Sequence, residues 1–212
     1  AESHAPLGDG EAVRQRLIAL VDISETEFYV VTCERVKGGQ EHTWSFHGPD
    51  GEATPIGVDP EPYEGTVLGE GIEYKDVDAA SNAEMACLAL MYDPAKASPE
   101  NMWGLDYSLR DQEGLRMRMT NVYPDGGALR IAKGKTPAGR ERYNMTWAVS
   151  QHQGEAPLTR QYLQVIEPYD QKRFIHSIER IPVEGADPEA DFQPLALRIT
   201  GEGFEDTIIL QP

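Results

Sequence analysis

The chain has 212 residues, 40% of them hydrophobic, with 19 basic residues against 36 acidic ones and a formal charge of -17. That apolar share is enough for a packed core and excludes wholesale disorder. The charge excludes a general binder of nucleic acid or anionic membrane, because phosphate binding needs a basic surface; an acidic polysaccharide held in a local basic groove stays open. No apolar run reaches the ~20 residues of a membrane span. The first residue is Ala1, not Met, so we expect that a signal, a tag or a domain upstream has been removed.

Polar, small residues predict a lead-in loop over 1–13. Arg14–Asp22 and Phe28–Arg35 read as strands, the second rich in β-branched and aromatic residues. The stretch from Arg35 to Gly51 then reads as a Gly38-Gly39 turn, a strand, and a second turn at Gly48-Pro49-Asp50-Gly51. Along that strand His42, Trp44 and Phe46 fall on one face, with Thr43, Ser45 and His47 on the other. Short turns predict that these three strands form a meander.

Three prolines and four glycines between Glu52 and Gly71 rule out a long regular element and predict a surface excursion over 52–71. Asn82–Tyr92 is compatible with a helix, from its Ala, Leu and Met content, or with a buried strand. Further on, Trp103–Leu109 and Leu115–Met119 alternate. Pro124-Asp-Gly-Gly127 reads as a hairpin-type turn before a strand at Ala128–Ala132, and Lys133–Arg142 as a basic loop. Strands are predicted over 144–152, 158–167, 174–181, 195–200 and 206–210. This spacing of short strands and turns predicts one all-β domain over 1–212, an antiparallel two-sheet β-sandwich.

Three sets of side chains bear on chemistry. His42, His47 and His152 lie on strands and are the candidate metal ligands. His42 and His47 are five apart, so a regular strand aims them in opposite directions, and only a bulge brings both to one ion. No HxH, HExxH or CxxC spacing supports a metal site, and a histidine with ordinary structural partners is the competing reading. Arg14 with Arg16, and Arg116 with Arg118, form two ladders whose guanidinium forks suit carboxylate or sulfate; a solvated face balanced by Glu and Asp is the alternative. A tyrosine with arginine or histidine can also perform β-elimination on a uronate, but nine tyrosines make any one pairing unremarkable. Cys33 and Cys87 sit in apolar runs and read as buried thiols, with one disulfide as the alternative. No nucleophile elbow, phosphate loop or dinucleotide fingerprint is present.

Arg16-Leu-Ile-Ala-Leu-Val-Asp22, Phe28-Tyr-Val-Val31, Arg35-Val-Lys-Gly-Gly39 and His42-Thr-Trp-Ser-Phe-His-Gly48 together resemble the start of the C-terminal β domain of heparinase II/III-like polysaccharide lyases. Asn144–Ser150, Leu158–Tyr169 and Phe174–Arg180 resemble that domain's later strands, with Glu167-Pro168-Tyr169, read as a turn, the most telling match. The resemblance spans about Arg14 to Leu210. It implies a β-sandwich that lines the substrate cleft and supports an N-terminal α/α toroid, in an enzyme that cleaves uronate-containing polysaccharide by β-elimination. The main catalytic residues are then expected outside this chain, and the isolated chain is not expected to be active. A His-Asn pair expected early in such a β region is absent, so no catalytic residue carries over. His42, His47, Arg116 and Arg118 are the candidate substrate contacts. The implied partners are an acidic polysaccharide and the toroid, with no nucleic acid and no membrane; the implied location is periplasmic or extracellular. No cofactor is required, and a structural divalent metal at His42, His47 and His152 stays an alternative. The rival reading is a non-catalytic carbohydrate-binding or scaffold β-sandwich.

Overall fold

Apolar residues at every second position make most of this chain extended. The computed structural model describes residues 2–6, 12–83, 85–123, 126–135 and 144–212. Strand β1 (Glu2–Pro6) pairs with β2 (Val13–Asp22), so part of the expected lead-in loop is a strand. Ser24 Oγ accepts the backbone N–H groups of Thr26 and Glu27, closing the turn into β3 (Phe28–Lys37). Gly38 and Gly39, both at positive φ, lead into β4 (Glu41–Asp50). The Pro/Gly-rich excursion holds only short strands: β5 (Ala53–Ile56), β6 (Glu61–Pro62), β7 (Gly65–Thr66) and β8 (Gly69–Glu70). The ambiguous stretch at 82–92 contains both alternatives in part, a 3-10 helix over Met85–Leu90 running into β9 (Met91–Ala97). Then follow β10 (Trp103–Ser108), β11 (Leu115–Asn121), β12 (Ala128–Lys135) and β13 (Asn144–Gln153). The last strands are β14 (Thr159–Asp170), β15 (Ile175–Ile181), β16 (Leu195–Gly201) and β17 (Phe204–Leu210).

The strands form an all-β, antiparallel sandwich with an added layer. A seven-stranded sheet runs β1-β2-β3-β14-β11-β10-β5, and a five-stranded sheet runs β4-β13-β12-β9-β6. Trp44, Trp103, Leu105, Tyr107, Met119 and Tyr162 are buried between these two. The other face of the large sheet is covered over β2, β3 and β14 by a three-stranded sheet, β15-β16-β17, with Tyr29, Val31, Leu163, Leu197 and Ile199 buried there. On the far side of the five-stranded sheet, Val149 and Ala132 pack under Val67, Leu88 and Met91, which straps the segment from β7 to β9 across that face.

Several local expectations change for physical reasons. The meander does not form: β2 and β3 pair, but β4 crosses to the five-stranded sheet and pairs with β13, while β14 takes its place beside β3. This crossing puts the aromatic face of β4 on the large sheet, where Trp44 stacks with Tyr162 at 6.0 Å between ring centroids. Gly48-Pro49-Asp50 is strand, not turn. A Cβ on Gly48 would stand 2.4 Å from the Tyr107 ring, so the glycine serves close packing. Glu167-Pro168-Tyr169 is likewise inside β14. A proline is tolerated there because the pairing with β3 ends at Ile166–Val30, leaving that edge without a ladder partner. The link from β11 to β12 joins two sheets and is no hairpin; Pro124 and Asp125 lie outside the described residues. Lys133–Lys135 belong to β12, and the rest of the expected basic loop lies outside the described residues. Cys33 is buried, Cys87 is exposed on the 3-10 helix, and no disulfide joins them.

Arg35 ties the large sheet to the three-stranded one. Its side chain is fully buried, and no carboxylate pairs with it among the described residues. Its donors go instead to neutral oxygens: Nε to Gln161 Oε1 at 3.0 Å, Nη1 to Gln15 Oε1 at 3.0 Å and the Gln211 carbonyl at 2.8 Å, Nη2 to the Leu210 carbonyl at 3.0 Å. A buried charge survives only when its donors are met in this way. Arg35→Met should cost about 1–3 kcal/mol in urea unfolding, because it leaves the buried neutral oxygens that received its donors without a partner. Hydrogen exchange should show β17 opening first.

Candidate functional site

A concave surface lies between the outer face of the five-stranded sheet and the 3-10 helix that straps it. It is a half-open cleft of about 700 Å³. Alternation on β4 sends Thr43, Ser45 and His47 into it, and alternation on β13 sends Met145 and Trp147. The strap adds Asn82, Met85 and Leu88, and β12 adds Lys135. The ring of His47 lies against the Trp147 indole, with centroids 4.4 Å apart. Gly134 allows that indole to sit down on β12, since a Cβ there would be 2.6 Å from Trp147 Nε1. His47 Nδ1–H donates to the Gly48 carbonyl at 3.0 Å. The other ring nitrogen, Nε2, has no hydrogen-bond partner among the described residues. Lys135 Nζ, at the cleft's margin, stands over the Tyr92 ring at 5.4 Å and the Tyr74 ring at 5.9 Å, neither of which lines the cleft. Aromatic surface with a few convergent polar groups is the pattern of a small-ligand or sugar site.

The other two candidate histidines are elsewhere. His42 and His152 are directly opposed across β4 and β13, on the face turned toward the large sheet. The strand is regular enough that His47 points the other way, so the three do not form one ligand set. Among the described residues no group of three or more His, Cys, Asp or Glu side chains converges on one point. His42 Nε2–H donates to the Gly38 carbonyl at 2.7 Å and fixes the turn before its own strand. Burial holds its pKa below the ordinary histidine value; the Gly38 bond opposes this, and the charges of Arg160 and His152 add to it. His42 is therefore a neutral, structural ring, remote from the cleft.

The two arginine ladders also separate. Arg14 and Arg16 on β2 pair with Glu34 at 3.4 and 2.9 Å, as a surface pair with its carboxylate partner. Arg116 and Arg118 lie on the opposite face of the large sheet, three strands further on, so no continuous basic stripe forms. Both converge on Asp106, which is 3% exposed. Arg116 Nε donates to Oδ1 at 2.7 Å, and Arg118 donates to Oδ2 through Nε at 2.8 Å and through Nη2. Tyr169 O–H donates to the same carboxylate at 2.8 Å and accepts from Arg116 Nε at 3.1 Å. Burial, the largest single effect, pushes the Asp106 pKa up; the hydrogen bonds from Tyr169, Arg118 and Arg116, with the charge of Arg118, outweigh it and hold the group below the usual carboxylate range. Burial and the Asp106 carboxylate raise the pKa of Tyr169, so it is a donor here and no tyrosinate base.

Trp147, Lys135 and Asp106 were not among the sequence candidates. Trp147 was legible as the residue opposite Ala148 in an alternating strand, but nothing in the sequence says that the segment at 82–91 folds over it. Alternation puts Asp106 opposite Trp103, Leu105 and Tyr107, but the cross-strand neighbours that bury it come from β11 and β14.

No protein-family model matches the chain, and no curated protein matches it.

Asp106→Asn should destabilise the protein at pH 7 by about 3–5 kcal/mol, because it leaves two guanidiniums without their buried partner. The folded-state pKa is depressed, so the stabilisation is present above the unfolded value near 3.9 and is lost as pH falls below it. Urea unfolding at pH 7 and at pH 3 should show the gap between wild type and variant narrowing in acid.

Proposed function

We propose that this chain is the C-terminal β-sandwich part of a heparinase II/III-like polysaccharide lyase, and that the cleft over the five-stranded sheet faces the uronate-containing chain. The observation that carries this reading is the cleft itself: the His47 and Trp147 rings, in contact at a tilt of 49°, give it an aromatic wall, Thr43, Ser45 and Asn82 offer hydrogen bonds, and Lys135 offers a charge for a carboxylate. Of the sequence-derived substrate contacts, His47 belongs to this cleft, while His42, Arg116 and Arg118 do not. β-Elimination needs a base for the C5 proton and a group that neutralises the carboxylate. In this reading the toroid supplies the main catalytic residues, and this chain holds the sugar and supports the toroid. A surface for that partner is available on β2 and β3: beyond the edge of the five-stranded sheet, Ile18, Leu20 and Phe28 are exposed at 39%, 59% and 38%.

The alternative, a self-sufficient carbohydrate-binding or scaffold sandwich, uses the same cleft without the partner. Native mass spectrometry of the protein from its source distinguishes the two, with a helical second chain or domain expected for the lyase. The isolated chain should release no unsaturated uronate from any acidic glycan; strong turnover by it alone would overturn the placement of the chemistry upstream. Trp147→Ala and His47→Ala should each weaken retention on immobilised acidic oligosaccharide at least tenfold, with Tm little changed. Unchanged retention in both would remove the cleft from the reading.

A further inference from the structure

A second concave site lies on the opposite side of the molecule, where the three-stranded sheet ends. That sheet covers β2, β3 and β14, and among the described residues none of its strands lies over β11 and β10 on the same face. The outer edge of β15 has no strand partner among the described residues and stands as a wall above this floor. His176 is the extra residue of a bulge in β15, since Ile175 pairs with Gly201 and Ser177 with Thr200. The corner between wall and floor encloses about 190 Å³, lined among others by Gly104, Arg118, Thr120, Arg173, His176 and Ser177.

The guanidiniums here are fixed from below. Glu167, 2% exposed, receives Arg173 Nε at 2.6 Å and the backbone N–H groups of Phe174 and Ile175 at 2.9 and 2.8 Å. Asp106 holds Arg118 and Arg116 in the same way. The buried carboxylates thus occupy the Nε sides of the forks. Both Nη groups of Arg173 and Arg116, and Nη1 of Arg118, take no hydrogen bond from the described residues. These side chains remain 20–35% exposed. Three guanidiniums face two carboxylates, so the cluster carries one excess positive charge on a chain of formal charge -17.

We propose that this corner is an oxyanion-binding site, in which Arg118 and Arg173, with His176 at the rim, take a sulfate or carboxylate group. Donors that are already oriented lose little entropy on binding, and planar forks match either anion. The volume suits one such group, not a run of sugar rings. The site is independent of the cleft and of the function proposed for it.

The test is a heteronuclear NMR titration of the labelled chain with sodium sulfate, and separately with sodium acetate, at constant ionic strength set by sodium chloride. Saturable shifts are expected at the backbone amides of Thr120, His176 and Ser177, and the anion that saturates at lower concentration identifies the group the site prefers. Arg173→Gln leaves Glu167 its two backbone donors and should weaken binding at least tenfold. His176→Gln, at an exposed bulge, is a second variant that should fold and should weaken binding about threefold. Shifts that rise linearly with either salt, or that saturate equally in wild type and both variants, would overturn the proposal. Retention on oligosaccharide through Trp147 is read separately, so the two sites fail independently.

Discussion

Everything in this fold is arranged around the burial of the β3–β14 pair on both faces. Leu163 and Val165 on β14, with Val31 and Cys33 on β3, point into the three-stranded sheet, while Tyr162 and Ile166 point toward the five-stranded one. A strand buried on both sides cannot use one face for water, so its polar residues must be paired inside. They are: Thr32 Oγ1 donates to Gln164 Oε1 at 2.7 Å, and Gln164 Nε2 donates to Asn121 Oδ1 at 3.3 Å. Arg35 and Glu167 meet the same demand near the two ends of the pair, one with side-chain and terminal carbonyls, the other with backbone amides.

The two covering sheets are offset along the central one. The five-stranded sheet lies over β14, β11, β10 and β5, and the three-stranded sheet over β2, β3 and β14. This offset leaves two diagonal quadrants of the large sheet bare. One carries Ile18, Leu20 and Phe28 beside the Arg14, Arg16 and Glu34 ion group; the other carries Asp106, Arg116 and Arg118. The contrast follows from side-chain supply. On β2 and β3 the uncovered face sets aliphatics beside arginines paired with Glu34, whereas on β10 and β11 it gathers arginines around one buried carboxylate. The aromatic cleft arises differently, from a strap over the far face of the five-stranded sheet, and its contents depend on Gly134 giving Trp147 room.

The strand content and the antiparallel class were readable because hydrophobic alternation and turn residues act over two to five neighbours. Partner choice was not readable. The residues of β4 look the same whether the strand continues a meander or crosses to a second sheet, and only Trp44 packing on Trp103 and Tyr162 decides between them. Punctuation misled at Gly48-Pro49 and Pro168 for one reason: glycine and proline mark turns locally, but here they answer tertiary demands, a tyrosine ring in one case and an unpaired strand edge in the other. The opposition of His42 and His47 was legible from their spacing, and so was the pairing of Arg116 with Arg118 on one face. Their common partner, Asp106, was not, because its burial is built by strands far away in sequence.

The residues that carry the resemblance to lyase β domains turn out to perform mostly scaffold work. Arg35 joins two sheets, His42 fixes the Gly38-Gly39 turn, Trp44 and Phe46 fill the main core, and Gly48 yields to Tyr107. Glu167 organises the start of β15, and Tyr169 completes the shell of Asp106. Of the His42–Gly48 run, Thr43, Ser45 and His47 face a cavity. A motif made of such residues specifies how sheets meet and says little about what is bound. The surfaces with ligand chemistry also draw on Lys135 and Arg173, outside those stretches, and on Trp147 and His176, inside them. These sit at strand ends, straps and bulges, where a side chain can change without disturbing how the sheets pack. Specificity in this protein is therefore separable from its fold, and the cleft and the oxyanion corner can each be altered while the β3–β14 core stays intact.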